Sequence, residues 1–228
     1  MSSITKFFQK LIIKILLVII TSSIINKINI TIISSFLIKS IETTIISNNY
    51  IIYSWEISLK INGTGVQPFV ADYYDGRLPT KVLLNNQQVS TISTKSVNIE
   101  SPDDIITLVW TSSPPSCEYM FNGLSDITEI DLSNFDSSNV NNINSMFSGC
   151  KSLLRLNLNN FNTQKLTSLS SLFYRCLKLT SLDLSSFDTS NIIKMDKIFY
   201  SCEALAYINL SSFITSSVTK MECYNPVS

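Results

Sequence analysis

The second half of the chain repeats one pattern of apolar positions every 26 residues. A Met, Leu or Ile followed by Phe begins at residues 120, 146, 172 and 198. Three more apolar columns keep the same step: Phe135, Phe161, Phe187, Phe213; Val140, Leu166, Ile192, Val218; Ile143, Leu169, Met195, Met221. A fixed period of this length is typical of a repeat architecture, so we predict four repeats with a shared core.

Within one repeat the apolar spacing changes, and this change predicts the secondary structure. Leu182 and Leu184 alternate with polar neighbours, which indicates a short strand with one buried face. Residues 188–191 (DTSN) favour a turn and a helix cap, and the apolar residues after them have helical spacing. One such strand and helix cannot bury its apolar side alone, whereas stacked copies can. We therefore expect a curved α/β solenoid with short helices and a parallel sheet on its concave face.

Residues 51–116, upstream of the repeats, read as a small β-rich unit. Strands are predicted at residues 57–61, 81–84, 96–100 and 105–110, with turn residues such as Gly63 and Gly76 between them. Because repeat arrays need a cap at each end, we expect this unit to cover the first repeat. The repeats themselves then occupy residues 117–228.

Residues 1–50 resemble a targeting segment followed by a linker. Three lysines precede the apolar stretch 15–25, and small residues at 21–23 offer a cleavage site, so we predict a signal peptide. The alternative is a signal anchor over residues 15–38, which places Lys27 in the membrane at a cost of roughly 2.5 to 3.5 kcal/mol. A buried helix or a misassigned start is the third reading. The first two predict a secreted or cell-surface protein, which remains membrane-anchored if the segment is not cleaved.

The charge and composition disfavour several classes of function. Basic and acidic residues number 17 each, so no basic field attracts nucleic acid. Histidine is absent, which removes the commonest general base and metal ligand. With only five glycines there is little room for a phosphate-binding loop. We expect no enzymatic activity, no cofactor and no metal.

Three cysteines, Cys150, Cys176 and Cys202, form a column at the repeat period, while Cys117 and Cys223 lie outside it. A disulfide framework or a metal site is the alternative to buried thiols. The total of five is odd, and no C-x-x-C pair is present. We therefore predict free thiols that pack as small apolar groups.

Two polar columns lie on the predicted strands, and they supply the candidate ligand-contact surface. A solvated ladder in which Asn separates like charges is one reading, and a binding surface is the other. Acid–base catalysis is disfavoured because Asp131 and Asp183 are two strands apart, about 9.6 Å at the usual strand spacing. The candidate contact residues on the concave face are Glu129, Asp131, Arg155, Asn157, Asp183, Tyr207 and Asn209.

Three triplets match the N-glycosylation acceptor pattern, beginning at Asn29, Asn62 and Asn209. Such triplets arise by chance in a chain rich in Asn and Ser. Asn62 lies in a predicted turn beside glycine, so Asn62 is the candidate glycosylation site.

The repeat sequences resemble the BspA-like leucine-rich repeats, which are also found in mycoplasma surface lipoproteins and in protists. The resemblance rests on residues 146–153 (MFSGCKSL) and 182–192 (LDLSSFDTSNI), and it extends over about residues 119–221. It implies a leucine-rich-repeat solenoid on secreted or surface-displayed proteins, some of which are adhesins. Leu124 departs from the Cys of the other repeats, and the array is short.

We therefore expect a protein that binds a protein or glycan ligand on another cell or matrix, with adhesion as its role. An intracellular interaction scaffold is the first alternative. An enzyme with a pocket in the β unit and a truncated repeat fragment without function are the others. A mature N-terminus after Ser23, or a glycan on Asn62, would exclude the cytosolic alternative.

Overall fold

The protein folds as β-structure throughout the residues that its structure, a computed structural model, describes: 54–89 and 95–222. Within those residues no helix has the length and hydrophobicity to cross a membrane. The targeting segment predicted from residues 1–50 lies outside them. The strands are β1 (Trp55–Ile61), β2 (Gly65–Pro68), β3 (Lys81–Leu84), β4 (Gln87–Gln88), β5 (Ser96–Ile99), β6 (Ile106–Trp110), β7 (Ile127–Asp131), β8 (Arg155–Asn157), β9 (Ser181–Asp183) and β10 (Tyr207–Asn209).

These strands form one large mixed sheet and two pairs. The large sheet has the order β4-β3-β6-β1-β7-β8, and its neighbours are antiparallel except for the parallel pair β7 and β8. Strands β9 and β10 form a parallel pair, and β2 and β5 form an antiparallel pair.

The predicted strands upstream of the repeats are confirmed. In β1 the alternating residues Ile57, Leu59 and Ile61 are buried, which is the pattern of a strand with one face on the core. Strand β6, which lies between β3 and β1 in the sheet, is buried along its whole length.

The upstream strands cover the first repeat directly. Strand β1 pairs antiparallel with β7, so the first repeat joins the large sheet. The Trp110 ring meets the Phe135 ring edge-on, with centroids 5.6 Å apart. The Ala71 N–H also donates to the Met120 carbonyl at 2.8 Å. The first members of the repeat columns are therefore shielded from water.

Two columns of phenylalanine rings run through the stacked repeats. In the first column, Phe121, Phe147, Phe173 and Phe199 stack with centroids 6.0, 5.7 and 5.7 Å apart. In the second, Phe135, Phe161 and Phe187 are separated by 6.4 and 6.2 Å. Each ring packs against a ring of an adjacent repeat, so stacking of the repeats contributes to the burial of these side chains.

The prediction of an α/β fold with short helices is wrong: the described residues contain strands and turns only. The segment predicted as a helix directs only some of its N–H groups to its own repeat; the Met195 N–H donates to the Lys220 carbonyl of the next repeat at 2.9 Å, and the Lys197 N–H donates to that of Glu222 at 2.8 Å. Lys197 and Ser201 have left-handed φ angles of 54°, which interrupt helical geometry. The equivalent residues of the other repeats are also left-handed: Tyr119, Gly123, Ser145, Gly149, Ser171 and Arg175.

The expected solenoid with one parallel sheet along its concave face is also not formed. Strands β7 and β8 belong to the mixed sheet, β9 and β10 form a separate pair, and within the described residues β8 does not pair with β9. The second and third repeats are joined instead on what we call the turn side, which is formed by the left-handed segments 119–123, 145–149, 171–175 and 197–201. There the Phe147 N–H donates to the Leu172 carbonyl at 3.1 Å, and the Gly149 N–H donates to the Tyr174 carbonyl at 2.7 Å.

Two glycines allow the role of close repeat packing to be tested. Gly123 and Gly149 have almost the same φ, 75° and 76°, but a Cβ on Gly149 would lie 3.2 Å from the Gly123 Cα, whereas a Cβ on Gly123 would meet nothing within 4 Å. We expect Gly123→Ala to cost about 1 kcal/mol of unfolding free energy from the left-handed backbone alone. Gly149→Ala should cost at least about 1 kcal/mol more because of overpacking. Urea unfolding followed by circular dichroism measures both. Equal losses would show that the repeats yield at this contact.

Candidate functional site

The first polar column has a structural role in every repeat. The side-chain oxygens of Asp131, Asn157, Asp183 and Asn209 each accept the N–H of the residue two positions later, at 2.8, 3.1, 2.9 and 3.1 Å. These are Asx turns, which end each strand and start the connection to the next segment. Both Asp and Asn supply the oxygen that this turn requires. Either residue therefore serves at this position of the repeat.

The hydrogen bonds of this turn also affect the ionisation of Asp183. The Ser185 N–H and then its hydroxyl lower the pKa of the Asp183 carboxyl, and a weaker contribution comes from Asn209. The carboxylate therefore remains charged near neutral pH and serves as an acceptor. A general acid needs the opposite shift, a raised pKa.

The second polar column contains an ion cluster on β7 and β8. The Arg155 Nη1 donates to Glu129 Oε1 at 2.6 Å, and Lys60 Nζ on the neighbouring strand β1 lies 3.7 Å from the same oxygen. Glu129 is thus neutralised by two cations. The Arg155 side chain remains 73% exposed, so this contact holds the guanidinium in place while much of it faces solvent.

At the other end of the same column lies Tyr207, on β10. Its side chain is among the most exposed large apolar groups of the described residues, at 62%. Its partner in the register is Ser181, which is small and exposed. Tyr207 therefore has no bulky neighbour in its column on β9.

We use the name strand face for the exposed side of β7 to β10 that carries the two polar columns: residues 129, 131, 155, 157, 181, 183, 207 and 209. The structure brings Glu129 next to Arg155 and Asp131 next to Asn157, and it pairs Asp183 with Asn209. Because β8 and β9 belong to different sheets, the seven predicted contact residues lie on two adjacent pairs of strands, not on one ladder.

Asn62 follows β1 in an exposed turn, and Thr64 of the same triplet is exposed as well. The Asn62 backbone N–H is bound by the Asp126 carbonyl at 2.8 Å, which fixes the turn and leaves the side chain in solvent. Glycosylation of Asn62 remains a prediction.

The cysteine column consists of free thiols, as predicted. The thiols of Cys150, Cys176 and Cys202 contact backbone carbonyls of the preceding repeat at 3.2, 3.2 and 3.0 Å. Burial raises the pKa of the Cys150 and Cys176 thiols, and it raises the pKa of the Cys202 thiol to about 11. A protonated, buried thiol is a poor nucleophile and a poor metal ligand. Cys223 lies outside the described residues.

One aromatic cluster on the turn side was not anticipated from the sequence. The rings of Tyr174 and Tyr200 stack with centroids 5.1 Å apart, and the Arg175 guanidinium lies 5.5 Å from the centre of the Tyr174 ring. The signal was present, because the two tyrosines are separated by one repeat period. The cluster joins repeats three and four.

A row of polar side chains also crosses the repeats on the turn side. Ser168 donates to Asn144 at 2.7 Å, and Ser170 donates to Asp196 at 3.4 Å. Lys220 lies 3.6 Å from the same Asp196 oxygen. The other oxygen, Oδ1, is buried and has no hydrogen-bond partner among the described residues. The described residues contain no group of three or more His, Cys, Asp or Glu side chains that could hold a metal ion.

The Asx turn gives a direct test of the structural role of Asp183. Asp183→Asn keeps the accepting oxygen, as Asn157 and Asn209 do in the neighbouring repeats, so we expect a urea midpoint at pH 7 closer to that of the parent than to that of Asp183→Ala. Asp183→Ala loses the acceptor and should lower the midpoint. The depressed pKa means that the wild-type contribution is present above the unfolded pKa and disappears as pH falls through the folded value. An Asn variant as unstable as the Ala variant would show that charge, and not the turn, matters here.

The comparisons with known proteins concern the repeats. No curated protein and no solved structure is significantly similar to this chain. Residues 115–225, which contain all four repeats and exclude β1 to β6, are similar to the family described as "Mycoplasma protein of unknown function, DUF285".

Proposed function

We propose that this chain is a secreted or surface-displayed repeat protein of the BspA-like type, which binds a protein ligand through its strand face and serves in adhesion. The observation that carries the proposal is the exposure of Arg155 and Tyr207 in one column of that face. Arg and Tyr are the residue types that most often dominate binding energy at protein interfaces.

Both side chains are presented by ordered backbone. Arg155 is held by Glu129, and Tyr207 extends from a strand that pairs with β9. Holding these groups in place before binding reduces the entropy lost when a ligand binds. A protein surface suits this pair better than a glycan, since aromatic and guanidinium groups can enter complementary pockets there.

Binding fits the strand face better than catalysis does. The Asp and Asn side chains are used as turn acceptors, and Glu129 is neutralised by Lys60 and Arg155. Hydrogen bonds from Ser185 lower the pKa of the Asp183 carboxyl, which is opposite to the shift that a general acid needs. Display at the cell surface is supported by the resemblance of the repeat sequences to BspA-like repeats, which occur in mycoplasma surface lipoproteins, and by the order of charged and apolar residues at the N-terminus.

The binding proposal is tested with the full chain on a panel of purified extracellular-matrix proteins and on a glycan array. The double variant Arg155→Ala/Tyr207→Ala should bind the captured matrix protein at least about tenfold more weakly, which corresponds to about 1.4 kcal/mol. The fold should remain intact, because exposed substitutions and surface ion pairs contribute little to stability.

The matched control is Arg175→Ala/Tyr119→Ala, which removes the same two residue types from exposed positions on the turn side. We expect this control to bind as the parent does. Loss of capture in the control, with full capture by the strand-face variant, would move the binding site to the turn side. Capture by the glycan array alone would replace the protein ligand with a glycan.

The cellular location is tested separately with a C-terminally tagged chain. We expect external protease to remove the tag from intact cells, and we expect deletion of residues 1–23 to leave the protein in the cytosol. Export of the deleted chain would contradict the targeting role, and a protected tag on the full chain would favour the intracellular scaffold.

A further inference from the structure

The last repeat exposes apolar side chains whose equivalents in the third repeat are buried. In the third repeat, Phe173, Leu179, Leu182, Phe187, Ile192 and Met195 are between 0% and 3% exposed. Their equivalents, 26 residues later, form what we call the end face: Phe199, Leu205, Ile208, Phe213, Val218 and Met221. The first five of these are only partly buried, and Met221 is 50% exposed. The difference arises because the fourth repeat covers the third, and no described residue covers the fourth.

The backbone at the end face also has hydrogen-bonding groups without a partner among the described residues. The Lys220 carbonyl accepts from Met195 at 2.9 Å, and the Glu222 carbonyl accepts from Lys197 at 2.8 Å, so both residues point toward the third repeat. Backbone groups alternate in direction along an extended segment. The N–H and the carbonyl of Met221, between them, therefore point away from the stack.

The opposite end of the stack shows how this chain covers such an edge. There, β1 runs antiparallel to β7 and supplies apolar side chains above the first repeat. In every copy of the chain, β1 already occupies the first edge of the stack. Among the described residues, the open end of the stack in a second copy is therefore its own end face.

We propose that two copies of this chain associate through their end faces, about a two-fold axis at Met221. In this arrangement residues 220–222 of the two copies run antiparallel, and the Met221 N–H of each copy donates to the Met221 carbonyl of the other. The two-fold axis places Lys220 opposite Glu222 of the second copy, and Glu222 opposite its Lys220. The exposed sequence Lys-Met-Glu is thus complementary to itself in charge, with the apolar residue at the centre.

This proposal does not depend on the ligand or on the cellular location. Sedimentation equilibrium of the full chain, over a range of micromolar concentrations, should give a mass twice the 25.6 kDa of one chain. A monomer at every concentration overturns the proposal, as would happen if another segment covered the end face. Open-ended association into larger species overturns it as well, since a two-fold contact closes after two copies.

The location of the contact is tested by Met221→Arg, which places two cations against each other on the axis. We expect the dimer dissociation constant to rise at least tenfold. The matched control is Leu154→Arg, because Leu154 is exposed to a similar degree, 44%, in the second repeat. It should leave the dimer unchanged, and circular dichroism confirms that both variants are folded. A Met221→Arg chain that dimerises as the parent does, or a control that dissociates to the same extent, overturns the proposed contact.

The antiparallel register is tested by charge. Glu222→Lys places lysine opposite Lys220 of the second copy and should weaken the dimer, most strongly at low salt. The exchange Lys220→Glu/Glu222→Lys, made together with Asp196→Asn because Lys220 lies 3.6 Å from Asp196, restores opposite charges across the axis and should recover association. A Glu222→Lys chain with unchanged association at low salt, or a folded exchange variant that stays monomeric, overturns this register.

Discussion

The structure depends on hydrogen bonds and ring contacts that connect one repeat to the next. Two left-handed residues in each repeat, such as Lys197 and Ser201, interrupt helical geometry. The N–H groups of this segment therefore alternate between two kinds of acceptor: the Tyr174 N–H bonds to Ser171 in its own repeat, and the Arg175 N–H bonds to Tyr200 in the next. The bonds of the second kind connect the same neighbouring repeats that the stacked phenylalanine rings connect. Each repeat is therefore stabilised by the repeat beside it, and the two ends of the stack differ in what covers them.

The sequence predicted the features that leave a direct trace in hydrophobicity. Burial of Leu182 and Phe187 follows from their columns, and the upstream strands follow from their alternation. The predicted helix failed because apolar residues at spacings of three and four also suit a sequence of tight turns. Left-handed φ at Lys197 is invisible in a hydrophobic pattern, and only glycine at 123 and 149 hinted at it. The pairing of β1 with β7 is nonlocal, and alternation identifies a buried face but not a partner strand.

The sequence predicted where the residues of the candidate site lie better than it predicted what they do. Both polar columns lie on the strands, as their alternation with leucine requires. However, a column of Asp and Asn has the same sequence pattern whether it meets a ligand or closes a turn, and the turn bonds became evident only from the distances. The stacked tyrosines on the turn side were missed because two adjacent repeats are too few to reveal a column. Unlike the Asp and Asn side chains, the exposed side chains of Arg155 and Tyr207 do not close a turn.

The two ends of the stack connect stability with binding. An edge of exposed backbone and apolar side chains promotes association unless it is covered, and β1 provides that cover at the first repeat. The end face has the same character, and Tyr207 lies in the repeat that forms it. Association through the end faces would therefore join two strand faces close to the residues that we propose as contacts. A ligand with repeated epitopes would then bind both copies, and the second contact would benefit from a high effective concentration. The dimer would then bind such a ligand more tightly than a single copy does, although each strand face has few anchoring side chains.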